Sequence, residues 1–100
     1  MKLWIDDVRP IPYITDDGWI WCKSVNVAKK IIVAHPDEIE LISIDHDAGE
    51  YVNQGGDYIK LLDWLEEAGY NYPIHIHSMN AIGIMNMRRI IQHNGWKEIV

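Results

Sequence analysis

Short apolar runs that stop abruptly at a polar group set the pattern of this chain. Lys2, Leu3, Trp4 and Ile5 end at Asp6-Asp7, Ile39 to Ile44 end at Asp45-His46-Asp47, and Ile74 to His77 end at Ser78. A brief apolar run bounded by charge is the signature of a buried strand, and Trp19 to Lys23 predicts one more. Between these runs the spacing changes to that of helices. Ser24 offers an N-cap for a helix over Val25 to Ala34, with Val27, Ala28, Ile31 and Ile32 on one face and His35-Pro36 ending it. Asp57 to Ala68 carries Ile59, Leu62 and Leu65 at helical spacing and meets a stop at Gly69, and a third helix runs from near Ile84 to His93, closed by Gly95. Arg9-Pro10-Ile11-Pro12 is a loop, because two prolines remove donors and restrict the residues before them. Trp96 to Val100 reads as a short last strand.

This order, with strands and helices alternating after the loop, calls for an α/β fold with a mainly parallel five-stranded sheet. In such sheets ligands bind beyond the carboxyl ends of the strands. Asp6, Asp7, Asp45, His46, Asp47, His77 and Ser78 all follow apolar runs, so all are expected on that one rim. A chain of 100 residues with no repeat or linker reads as one domain spanning 1–100.

Charge narrows the choice of partner. Fifteen acids against nine lysines and arginines give a net charge of −6, which argues against long nucleic acid and an anionic membrane. A phosphate-containing small molecule or an RNA end remains open; oligomeric state is not legible. The single cysteine, Cys22, cannot form an intramolecular disulfide, and no apolar run approaches the roughly 20 residues of a membrane span, so a reducing cytoplasm is the expected setting.

Several carboxylates at one edge repel each other unless a cation sits among them, and an all-oxygen donor set suits a hard ion, Mg²⁺ or Mn²⁺. Asp6, Asp7 and Asp45 are the candidate ligands. Histidine is the side chain whose ordinary charge change falls near neutral pH, so His46 and His77 are candidates for acid–base work, with Asp45 beside them in the reacting centre. His75, two residues farther from the strand end, reads as a core histidine. Arg9, Ser78 and Asn80 are candidates for holding phosphate oxygens, the first through its forked guanidinium. Ser78 has no G-x-S-x-G elbow around it, which argues against a covalent role. Trp4 and Trp21 fall inside strands and read as structural, while Trp19 and Tyr58 are candidates for a wall against a base.

Taken together, L-W-I-D-D-V-R-P at 3–10, G-W at 18–19, I-D-H-D at 44–47, G-D-Y at 56–58 and H-S-x-N-x-x-G-x-x-N-M at 77–87 resemble the cyclic-phosphate processing receiver-like family, a divergent branch of the response-regulator receiver fold. The resemblance runs through nearly the whole chain. It implies a flavodoxin-like three-layer sandwich, with the first helix reduced to the Pro-containing loop and the last helix absent. It also implies that Asp6 and Asp7 are the acid pair and Asp45 the third-strand acid of a Mg²⁺ site, with Ser78 as the hydroxyl that contacts phosphate. The chain departs from signalling receivers in those two helices and in Lys97, which precedes the apolar end of the last segment, where a phosphate-contacting lysine would follow it. Arg9, His46, Asp47, His77 and Asn80 match the branch's own pattern instead.

What the resemblance implies is a metal-dependent phosphoesterase acting on a cyclic phosphate, either a nucleotide or an RNA 2′,3′-cyclic end. Two other readings stay open: a module that binds or sequesters a cyclic nucleotide without turnover, and a receiver in which Asp45 accepts phosphate for signalling.

Overall fold

A computed structural model describes residues 1–12 and 18–100. Its elements are β1 (Lys2–Ile5), β2 (Trp19–Cys22), α1 (Val25–Ala34), β3 (Leu41–Ile44), a 3₁₀ turn (Gly49–Tyr51), α2 (Ile59–Ala68), β4 (Ile74–Ile76) and α3 (Ala81–Asn94). The strands form a parallel sheet in the order β2-β1-β3-β4. This is the doubly wound order of flavodoxin-like folds, in which the chain reverses direction at β1/β3 and leaves a crevice there.

Alternation along each strand separates two faces. Leu3, Ile5, Cys22, Ile42, Ile44 and Ile74 join Val25, Ala28, Ile32, Leu61, Leu62, Leu65, Met87 and Ile91 in one buried cluster, so all three helices cover the same face. The opposite face carries Lys2, Trp4, Trp19, Trp21, Leu41, Ser43 and His75. Over it lies the Pro-containing loop, whose Arg9 carbonyl accepts a 2.8 Å hydrogen bond from Trp4 Nε1. Among the described residues the domain is therefore two-layered rather than three-layered. Residues 6–12 form no helix, residues 96–100 run without one, and residues 13–17 lie outside the described residues.

The expected fifth strand also needs correction. Only a single parallel bridge, Ile74 to Glu98, joins the last segment to the sheet, which is four-stranded. Gly95 caps α3 in the left-handed conformation and Trp96 turns into the core. That leaves the Ile74 N–H bonded to Lys97 O and the Ile99 N–H bonded to Ile74 O as the main-chain pairing, too little for a strand. Helix α3 starts three residues earlier than the apolar spacing predicts. Asn80 supplies the cap, its side-chain oxygen accepting from Gly83 N at 2.9 Å, and the first turn is hard to read because Ala81 and Ile82 face solvent.

The ladder continues one hydrogen bond beyond each strand on the crevice side. Asp6 N–H bonds Cys22 O at 3.2 Å, Asp45 N–H bonds Ile5 O at 2.9 Å, and His77 N–H bonds Ile44 O at 3.0 Å. Asp6, Asp45 and His77 are thereby held at one level on the carboxyl rim.

Candidate functional site

Asp6, Asp7 and Asp45 each present a carboxylate oxygen, and these oxygens lie within 4.8 Å of one another. Asp6 is fully buried and held from several sides. Its Oδ1 accepts from Val8 N at 3.0 Å and Arg9 N at 2.7 Å, which bends the chain after β1 into a local turn. Its Oδ2 accepts from His77 Nε2 at 3.0 Å, and its main-chain oxygen accepts from Trp21 Nε1 at 2.7 Å. Asp45 Oδ1 accepts from His46 N at 2.8 Å. The Asp7 carboxyl is pushed above the usual carboxylate range, first by burial and further by the neighbouring charges of Asp6 and Asp45.

That donor set fits a hard divalent cation: oxygen only, close-set, and with mutual repulsion that a cation would relieve. The wall facing Asp7 supports the fit. Gly49 sits at φ +55°, and a Cβ there would press into Asp7 Oδ2, so the backbone approaches the carboxylate as closely as only glycine allows.

His77 closes the back of the site. Its ring lies 3.8 Å from the Trp4 ring at an interplanar angle of 1°, and its Nδ1 is 2.8 Å from Ser43 Oγ. A carboxylate only accepts, so Nε2 carries the hydrogen given to Asp6; the Ser43 hydroxyl then serves Nδ1 as donor. Burial lowers the His77 pKa from its ordinary value, outweighing the Asp6 hydrogen bond and charge that favour the cation. Both ring nitrogens are engaged. The His77 carbonyl accepts from an Arg9 guanidinium N–H at 3.1 Å, which tethers that otherwise exposed side chain to the rim.

His46 has the opposite character. Its Nδ1 donates to Asp47 Oδ1 at 2.8 Å, and its Nε2 has no partner among the described residues. Asn80 Nδ2 lies 3.4 Å from the same Nδ1, a long contact for a nitrogen already committed to a carboxylate. The ring packs flat against the first turn of α3: a Cβ on Gly83 would fall 2.5 Å from His46 Cγ and Cδ2. Ser78 Oγ accepts from Asn80 N at 3.0 Å, and Asn80 caps α3, so both shape the turn that brings the helix to the rim.

Two other sequence expectations resolve at this point. Tyr58 is fully buried, and its hydroxyl donates to Lys23 O at 2.8 Å, so it belongs to the core and not to a base-facing wall. Lys97 lines a cavity with Lys2, Glu40 and Pro73 at the amino ends of the strands, remote from the acids. Sequence reasoning missed Ser43 and the part that Trp4 and Trp21 play behind Asp6. A lone hydroxyl within Leu41-Ile42-Ser43-Ile44 was the available signal.

A parallel sheet in receiver order, with three acids at the crevice between β1 and β3, defines a receiver-type domain whose acidic cluster is the one receivers use for Mg²⁺. The chain belongs to the cyclic-phosphate processing receiver domain family, whose model matches residues 1–93. No curated protein and no solved structure matches it. Among the described residues no helix is long and apolar enough to cross a membrane.

Proposed function

We propose that this domain is a metal-dependent phosphoesterase that opens a cyclic phosphate on a nucleotide or an RNA end. The observation that carries the reading is the His46–Asp47 pair beside the three acids, with one imidazole nitrogen spoken for and the other open. A carboxylate that fixes Nδ1–H leaves Nε2 as a base, the same orienting logic that catalytic histidines use elsewhere.

Asp6, Asp7 and Asp45 would hold Mg²⁺ or Mn²⁺, which when bound supplies charge stabilisation for the phosphate oxygens. His46 Nε2 takes a proton from the attacking water as its oxygen bonds to phosphorus. The same nitrogen returns that proton to the ribose oxygen as the phosphorus–oxygen bond breaks, so one histidine closes the proton balance and the product is a monoester. The sequence left His46 and His77 both open for this role. The engagement of both His77 nitrogens favours His46 and gives His77 the task of holding Asp6. Arg9, tethered through the His77 carbonyl, keeps N–H groups for a phosphate oxygen, and the Ser78 hydroxyl hydrogen is available for another.

The test is phosphorus NMR of 2′,3′-cyclic nucleotides and linear diesters with Mg²⁺, Mn²⁺ or Zn²⁺, with acetyl phosphate run in parallel. Conversion of the cyclic resonance to a monoester is expected. Binding without product would favour sequestration, and an acyl phosphate on Asp45 would favour signalling; either overturns the enzyme reading.

A further inference from the structure

The centre's most buried acid is held by a chain of hydrogen bonds that begins on the other face of the sheet. Ser43 sits mid-strand in β3, opposite Trp4 of β1 and His75 of β4, with 1% of its surface exposed. It belongs to the face that carries no helix, where packing alone would be served as well by an aliphatic side chain. Its hydroxyl reaches His77 Nδ1 at 2.8 Å, and His77 Nε2 reaches Asp6 Oδ2 at 3.0 Å. The ring between them is clamped on Trp4.

We propose that Ser43 is a positioning residue for the metal centre: from the helix-free face it holds the His77 ring in the orientation from which Nε2–H fixes the Asp6 carboxylate for the cation. The role rests on the metal reading of Asp6, Asp7 and Asp45. The argument is one of hydrogen-bond direction. Asp6 Oδ1 is committed to two backbone donors, so its orientation about the remaining torsion is set by what meets Oδ2. Only an imidazole with its hydrogen on Nε2 can donate there, which leaves Nδ1 bare and in need of the Ser43 hydroxyl hydrogen. Without the hydroxyl, Nδ1 is buried and unpaired, and the ring gains by turning to a rotamer that gives Nδ1 a partner. Asp6 then loses its third donor. Partners of this kind beyond the ligands themselves typically change metal affinity by about 10–100-fold.

The experiment compares wild type with Ser43→Thr and Ser43→Val, two side chains of equal shape of which only the first keeps the hydroxyl. Imidazole nitrogen–proton correlation spectra read the His77 Nε2–H hydrogen bond to Asp6, Mn²⁺ titration reads affinity, and metal-free melting checks that each variant is folded. Wild type and Ser43→Thr should show one hydrogen-bonded Nε2–H signal and Mn²⁺ affinities within about twofold of each other, with Ser43→Val weaker by about tenfold and that signal lost to exchange with solvent. Ser43→Val matching Ser43→Thr in both measurements overturns the proposal. Tight wild-type binding that is indifferent to the hydroxyl overturns the role of Ser43 alone. Wild type that binds no Mn²⁺ overturns the metal reading, and this role with it.

Discussion

Gly83→Ala adds one methyl group and removes no polar atom, yet it should silence the domain. The new Cβ would lie 2.5 Å from His46 Cγ and Cδ2 and 3.0 Å from Nε2. Contact at Cγ cannot be relieved by moving the tip of the ring, so the whole side chain must leave its position and break the 2.8 Å bond to Asp47. On stability, alanine in a helix recovers about 0.5–1 kcal/mol over glycine, while overpacking costs about 1–3 kcal/mol. The net loss is about 0–2.5 kcal/mol, which for a domain of this size lowers Tm by at most about 10–20 °C. Turnover should fall far more, by about 10²–10⁴, the usual contribution of a positioned acid–base group. The assay pairs hydrolysis of a 2′,3′-cyclic nucleotide with Mn²⁺ titration and a melting curve, because Asp6, Asp7 and Asp45 are untouched. A folded Gly83→Ala protein with wild-type turnover would refute the role given to His46. One that loses Mn²⁺ binding in step with turnover would show that the defect had spread to the acids.

Mn²⁺ or Mg²⁺ should raise Tm in wild type, by the equivalent of about 2.7 kcal/mol at one hundred times Kd, and by much less in Asp45→Asn. Equal shifts in thermal melts would remove Asp45 from the ligand set. At the far end of the sheet, forked hydrogen bonds from Arg88 hold the Glu98 carboxyl below its ordinary value of 4.5. A depressed carboxylate contributes stability that is full above its unfolded pKa and is lost as pH falls through the lower folded value. Arg88→Ala should therefore flatten the Tm profile below pH about 4.5 while changing its shape little near neutrality; a profile parallel to wild type would contradict the assignment.

The crevice was legible because burial and charge meet there within a few residues. Leu3 to Ile5 is apolar on both faces, Leu41 to Ile44 is interrupted by Ser43 alone, and Asp6 and Asp45 mark where each apolar run stops. Nothing comparable marks the last segment. Its pairing with Ile74 competes with the burial of Trp96, a choice made by contacts distant in sequence. Helix α3 concealed its own start, because the exposed first turn carries Ile82 where the amphipathic pattern calls for a polar residue. The functional split between the two histidines was also hidden. His46 and His77 each follow an apolar run, and only the positions of Ser43, Asp47 and Gly83 around them distinguish a closed ring from an open one. Strand alternation put Trp4 and Trp21 opposite Leu3 and Cys22, but which face the helices would cover is a property of the whole topology.

The pairing of Trp4 and Trp21 with the rim gives the domain an optical gauge of its own centre. Of five tryptophans, one is stacked on the ring that holds Asp6 and another donates its indole hydrogen to the Asp6 main chain. Indole emission responds to the polarity and the paramagnets around it, and these two fluorophores are fixed against the residue that a cation would pull. Ultraviolet fluorescence of the unlabelled protein would therefore report a cation entering the crevice, over the background emission of Trp64 out on α2.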